Sequence, residues 1–174
     1  MKGPLVRIDN RLVHGQILES WVPYLRASRI IVVNDDVAGD LFRETVIRMA
    51  VPREIEVVLR GVEDFAEEQA RSGSAAEMPG TIILFASIDD LLKAYRLGFR
   101  FSSLNVGNVN NNSGERLAVG NIFLSDKEIN DLTTLVRHGV KISIQSVPRD
   151  RPEHFVEAVE EVMKTAIKKE KDRK

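Results

Sequence analysis

Apolar positions along this chain alternate between short continuous runs and longer stretches with helical spacing. Pro4 to Ile8 reads as a first strand, after which Ile17, Leu18, Trp21, Val22 and Leu25 share one helical face. Pro23 interrupts that pattern, so this helix is expected to end or bend near Trp21. Arg29 to Val33 is mostly β-branched and closes on Asn34, Asp35 and Asp36, as suits a parallel strand buried on both faces. Leu41, Phe42, Thr45, Val46 and Met49 repeat at helical spacing until Pro52. Further strands are expected at Glu54 to Leu59, Thr81 to Phe85, Phe101 to Val106 and Val140 to Val147. Between them, Val62, Phe65, Ala66 and Ala70 mark one helix, and Asp89 to Leu97 another, closed by Gly98.

Ser125, Asp126, Lys127 and Glu128 form a capping box, opening a helix through Ile129, Leu132, Leu135 and Val136 that Gly139 stops. Pro152 is expected to start a last helix with Phe155, Val156, Val159, Val162, Met163 and Ile167 on one face. Ser72 to Ala76 reads as a flexible loop and Gly107 to Gly114 as an Asn/Gly-rich turn. The charged tail from Lys168 to Lys174 reads as a solvated, fraying helix end. Strands alternate with helices throughout, without an internal repeat or a dividing linker. The pattern predicts a three-layer α/β fold with a mostly parallel sheet, and one domain over residues 1–174.

Composition narrows the chemistry. Hydrophobic residues make up 43% and charged residues 29%, a globular balance that can bury a core without disulfides or metals. A net charge of −1 provides no basic field for nucleic acid. The absence of cysteine excludes disulfide scaffolds, thiolate zinc sites and cysteine nucleophiles, and fits a cytosolic protein. No apolar run approaches the ~20 residues needed to span a bilayer. Arg7 and Asp9 interrupt the amino end before a signal-peptide core could form.

The segment from Val6 to Gln16 carries the most chemistry. A strand runs into a polar turn with Asp9, Asn10 and Arg11, then His14 and Gly15, and then a helix begins. Open α/β sheets bind ligands at strand carboxyl ends, and helix amino ends attract anions. His14 is therefore a candidate nucleophile for a phosphoryl group, since a neutral imidazole can attack and an unperturbed histidine is mostly neutral near pH 7. Arg11 offers paired donors to phosphate oxygens, and the backbone around Gly15 and Gln16 offers N–H groups. Asp9 would repel phosphate, so it either holds Arg11, orients the imidazole, or simply shapes the turn. Arg7, Asn10, Asn34, Asp35, Asn105 and Gly107 are possible cleft residues. Asn34 and Asp35 serve equally well as a helix N-cap. Trp21 reads first as core. His138 and His154 read as surface residues; no metal-ligand spacing, G-x-G-x-x-G or P-loop is present, and no metal or cofactor is called for.

Arg7 to Gln16, together with Trp21, closely resembles the start of the IIB subunits of the mannose/fructose/sorbose family of the phosphoenolpyruvate-dependent sugar phosphotransferase system. The resemblance continues at Arg29 to Ala38, Met49 to Pro52, Leu104 to Gly107 and Ser125 to Glu128. It implies a cytoplasmic protein-Npi-phosphohistidine–sugar phosphotransferase without a cofactor. In that family the histidine matching His14 takes a phosphoryl group from a phosphohistidine on a IIA protein. It passes the group to a sugar bound by membrane IIC and IID subunits. The arginine matching Arg11 stabilises the phosphate. The resemblance also implies an open sheet of about seven strands with one antiparallel edge strand. After Gly107 the family usually continues with a second glycine, where this chain has Asn108 to Ser113. A phosphohistidine switch that never delivers to a sugar remains the alternative, and self-association into a homo-oligomer remains open.

Overall fold

Strand β1 (Leu5–Asp9) is sorted by its own alternation. Val6 and Ile8 point into one apolar layer and Leu5 into the other, so Arg7 and Asp9 share Leu5's side. The computed structural model describes residues 3–72, 78–109 and 117–171. In chain order β1 is followed by a π-helical turn (Ile17–Trp21), α1 (Val22–Leu25), β2 (Arg29–Val33), α2 (Asp35–Ala38), α3 (Leu41–Ala50), β3 (Glu56–Arg60) and α4 (Val62–Ser72). Then come β4 (Thr81–Phe85), α5 (Ile88–Arg96), β5 (Ser103–Asn108), the hairpin β6 (Leu117–Val119) and β7 (Ile122–Leu124), and α6 (Asp126–Arg137). Strand β8 (Lys141–Ile144), the short β9 (Glu153–His154) and α7 (Phe155–Lys171) complete the fold.

The main sheet has the order β3-β2-β4-β1-β5-β8-β9. All its pairs are parallel except β8 with β9 at the edge. The expected mostly parallel, three-layer α/β architecture with an antiparallel edge strand is thus present. One face is covered by the π-turn, with Trp21 and Ile17, and by α2 and the residues after α3. The other is covered by α4 to α7, where Phe65 meets Phe85 at 5.8 Å and Phe99 at 4.9 Å between ring centroids. The helix after β1 therefore lies on one face and the helices after its neighbours β4 and β5 on the opposite face. Such a divergence opens a crevice at the carboxyl ends of the strands.

Several elements differ from the sequence expectation. The helix after β1 does not stop at Pro23. Proline has no N–H, and the chain widens into a π-turn in which Val22 N–H bonds to Ile17 O, with Pro23 in the first turn of α1. Helix α3 forms, yet its repeated apolar side chains face solvent: Phe42 is 76% and Met49 82% exposed, and only Ile47 packs on the core. Gly107 and Asn108 belong to β5 rather than to a turn, while residues 110–116 lie outside the described part. The expected loop at Ser72 to Ala76 falls largely outside it too. Pro152 does not open the last helix, because Glu153 and His154 first pair with Ile144 and Ser143. The hairpin β6–β7 was absent from the expectation; its strands are short, and Gly120 at φ 60 turns it. No helix among the described residues is long and apolar enough to cross a membrane.

The capping box at α6 is complete. Ser125 Oγ accepts from Glu128 N–H at 3.3 Å, and Glu128 Oε2 accepts from Ser125 N–H at 2.8 Å. Ser125→Ala is expected to lower unfolding stability by about 1 kcal/mol in urea denaturation, with the slope of the transition unchanged.

Candidate functional site

At the carboxyl end of β1 the chain makes a tight turn. Leu12 N–H bonds to Asp9 O at 2.9 Å, and Leu12 itself sits at φ 53. A left-handed leucine is strained and persists only where packing over-determines it; here its side chain is buried against the π-turn layer. The turn returns the chain so that His14 opens the next helix, its carbonyl accepting from Ile17 and Leu18 N–H at 2.9 and 3.1 Å. The amides of Gly15 and Gln16 fall in the first turn, where no preceding helical carbonyl can accept from them. Asn10 ties the turn to β5: its N–H donates to Asn108 O at 3.2 Å, and Asn108 Nδ2 donates to Asn10 Oδ1 at 2.6 Å.

Asp9 is the hub. It is fully buried, and its Oδ2 accepts from Arg7 Nη2 at 2.9 Å, His14 Nε2 at 3.0 Å and Arg11 Nη2 at 3.3 Å. Its Oδ1 accepts from Arg11 Nε at 3.1 Å and Arg11 N–H at 3.3 Å. Burial alone would push the Asp9 carboxyl up. The Arg11 hydrogen bond, the Arg7 charge, and the hydrogen bonds from His14 and Arg7 outweigh it and hold the carboxyl below its ordinary range. Arg11 is 43% exposed along its side chain and also donates to Gln16 Oε1 at 2.9 Å. Two guanidiniums against one carboxylate leave the loop with one net positive charge beside a half-buried imidazole.

His14, Arg11, Asp9, Gly15 and Gln16 come together as expected, and the His14 side chain is 16% exposed. Asp9 bonds Arg11 and the imidazole, and its Oδ1 also accepts from the Arg11 N–H within the turn, so none of the three readings of this residue is set apart from the others. Arg7 is not a cleft residue: it is completely buried. Asn105 donates to Ser143 Oγ and accepts from Arg7, so it faces the arginine rather than a ligand. Gly107 lies where a Cβ would overlap the Arg7 guanidinium. It is also the extra residue at the register shift between β1 and β5, since Ile8 pairs with Val106 and Asp9 with Asn108.

Asn34 and Asp35 are not beside His14, because β4 separates β2 from β1. Asn34 caps α2 through Val37 N–H, and Asp35 accepts from Val62 N–H at 2.8 Å and pairs with Lys93. Sequence reasoning missed the carbonyls of Gln145 and Ser146, which accept from Arg7 at 2.8 and 3.1 Å, and the bond from Trp21 Nε1 to Ser146 O at 3.0 Å. A carbonyl acceptor leaves no mark on side-chain identity, so only the topology could reveal them. His138 and His154 are exposed. Among the described residues no group of three or more His, Cys, Asp or Glu side chains is placed to hold a metal ion.

Fold and loop together define an open α/β protein with a histidine held at a strand-end crevice by a buried carboxylate. Residues 4–173 match the PTS system sorbose subfamily IIB component, and the chain belongs to that family. It is 31% identical to the fructose-specific EIIB component of the phosphotransferase system of Bacillus subtilis, over 92% of this chain and 97% of that one. It is 28% identical to the mannose-specific EIIAB component of Escherichia coli, over 84% of this chain and 45% of that one. Among solved structures, the IIB domain of the sorbose permease of Klebsiella pneumoniae superposes with a TM-score of 0.76 at 30% identity, over 90% of this chain and 95% of that one.

Removing the Asp9 charge leaves Arg7 buried without a counter-ion. Asp9→Asn is expected to cost at least about 3 kcal/mol of stability near neutral pH. Because the Asp9 carboxyl lies below its ordinary range, its stabilisation is complete above the unfolded value of about 3.9 and is lost as pH falls through the folded value. Stability measured from pH 6 down to pH 3 should therefore fall less steeply in Asp9→Asn than in the wild type.

Proposed function

We propose that this chain is a phosphocarrier of the sugar phosphotransferase system, in which His14 accepts a phosphoryl group from the phosphohistidine of a IIA protein. On this reading it works in the cytoplasm and delivers the group to a sugar bound by membrane IIC and IID subunits. The observation that carries the proposal is the division of labour within the imidazole. Nε2 lies 3.0 Å from Asp9 Oδ2, and an ionised carboxylate only accepts, so in the neutral ring the proton sits on Nε2 and the lone pair on Nδ1. Nδ1 attacks the phosphorus, the nitrogen–phosphorus bond of the donor breaks, and the donor imidazole regains its electron pair. The His14 ring becomes cationic, keeps its Nε2 proton and is balanced by Asp9. That cationic ring is a good leaving group for the onward step.

Arg11 supplies the charge that the incoming group needs. It is the exposed one of the two arginines on Asp9, and the Gln16 amide holds its guanidinium at the rim. The family membership supports the system, and the mannose-specific relative, named as an EIIAB component, supports a donor of the IIA kind.

The test is a reconstituted mixture of phosphoenolpyruvate, the two general phosphotransferase proteins, a mannose-family IIA protein and this chain, read by intact-protein mass. The wild type should gain one acid-labile phosphoryl group, and His14→Ala none, with its fold preserved. Arg11→Ala should still be phosphorylated but on the order of 10²-fold more slowly, and should lose some stability because it removes two side-chain hydrogen bonds from the buried Asp9 carboxylate. Phosphorylation of His14→Ala would overturn the proposal, and a wild-type rate for Arg11→Ala would remove Arg11 from it.

A further inference from the structure

Arg7 is among the largest fully buried side chains of the protein, and it carries a charge that the transfer step never touches. It lies in a built cage. Nη1 donates to Asn105 Oδ1 and Gln145 O, and Nη2 to Ser146 O and Asp9 Oδ2. The Trp21 ring lies 5.3 Å from the guanidinium carbon, and Gly107 leaves the space that a methyl group would fill. All four terminal N–H bonds are engaged, and only Nε lacks a partner. Arg7 therefore cannot reach a phosphate. A buried ion pair rarely stabilises a fold more than well-packed apolar side chains of the same volume, so the cage is best explained by what it fixes.

It fixes one oxygen. Oδ2 of Asp9 faces Arg7, Arg11 and His14 together, but the two arginines differ in freedom. Arg11 is partly exposed and can turn toward an arriving phosphoryl group, weakening its own bonds to Asp9 as it does so. Arg7 cannot turn. It holds the carboxylate ionised and aimed while Arg11 moves. We infer that Arg7 is a positioning residue: by clamping Asp9 from beneath, it keeps the proton on His14 Nε2 and so decides which ring nitrogen receives the phosphoryl group. The inference rests on His14 being the acceptor.

The experiment reads the tautomer in the unphosphorylated protein, by two-bond proton–nitrogen spectra of His14, with exposed His138 in the same spectrum reporting on the fold. The wild type should show a single Nε2–H tautomer. Arg7→Met should show both tautomers, accept the phosphoryl group 10- to 100-fold more slowly, a loss typical of removing a positioning partner, and carry it on both nitrogens. Arg7→Lys, keeping the charge on a single donor nitrogen, should recover the Nε2–H tautomer and part of the rate. A wild-type tautomer and rate in Arg7→Met, or an Nδ1–H tautomer in the wild type, would overturn the inference. If Arg7→Met unfolds, Gly107→Ala decides, because it keeps every charge and only displaces the guanidinium. Mixed tautomers there support the inference and a wild-type tautomer refutes it. A protein with the Nε2–H tautomer that accepts no phosphoryl group would end the phosphocarrier reading while leaving the hold of Arg7 on His14 intact.

Discussion

One buried carboxylate organises the working end of this protein. Asp9 stands at the last position of β1 and draws a fully buried arginine, a partly exposed arginine and a histidine to itself. Taking such a group out of water costs several kcal/mol before any partner is found. The partners therefore cannot be incidental, and all three lie within five residues of Asp9 in the chain. The turn contributes Arg11 and His14, and the strand beneath contributes Arg7. Strand β5 and the residues after β8 hold Arg7 in turn.

The surrounding scaffold makes room for that cluster. The register shift between β1 and β5 inserts Gly107 where a side chain would strike Arg7. The π-turn keeps the helix after His14 continuous despite Pro23 and sets Trp21 over the same guanidinium. Its indole N–H donates to Ser146 O, which Arg7 also uses, so one carbonyl locks the helix layer to the cage. Leu12 bends backward into the core, and the Asn10–Asn108 pair latches the turn to its neighbour strand. Side chain and backbone of this pair both bond, so the loop is fastened to β5 at two points.

Much of this was legible in the sequence, for physical reasons. The β-branched run from Ile30 to Val33 is typical of a parallel strand buried on both sides, and alternation of such runs with helical spacing predicts a mostly parallel α/β sheet. His14 and Arg11 stood out because a strand end followed by a helix start is where such sheets bind anions. Arg7 was misplaced in the cleft. Period-two alternation already put it on the same strand face as Asp9, but nothing local says that this face is sealed by Trp21 from above. Asn34 and Asp35 were misplaced for a related reason: strand ends share one edge, yet β4 inserts between β2 and β1, and chain order does not reveal insertion. The apolar stripe of α3 has correct helical spacing and points outward, since spacing defines a face and not what covers it.

The central claim is that Asp9 occupies Nε2 of His14 and so leaves Nδ1 to carry the phosphoryl group. It is tested most directly by long-range proton–phosphorus correlation on the phosphorylated wild-type protein, which assigns the bonded nitrogen from the ring protons it couples to. The account predicts a single species phosphorylated at Nδ1. Phosphorylation at Nε2 would require the imidazole to leave Asp9 and would contradict the account.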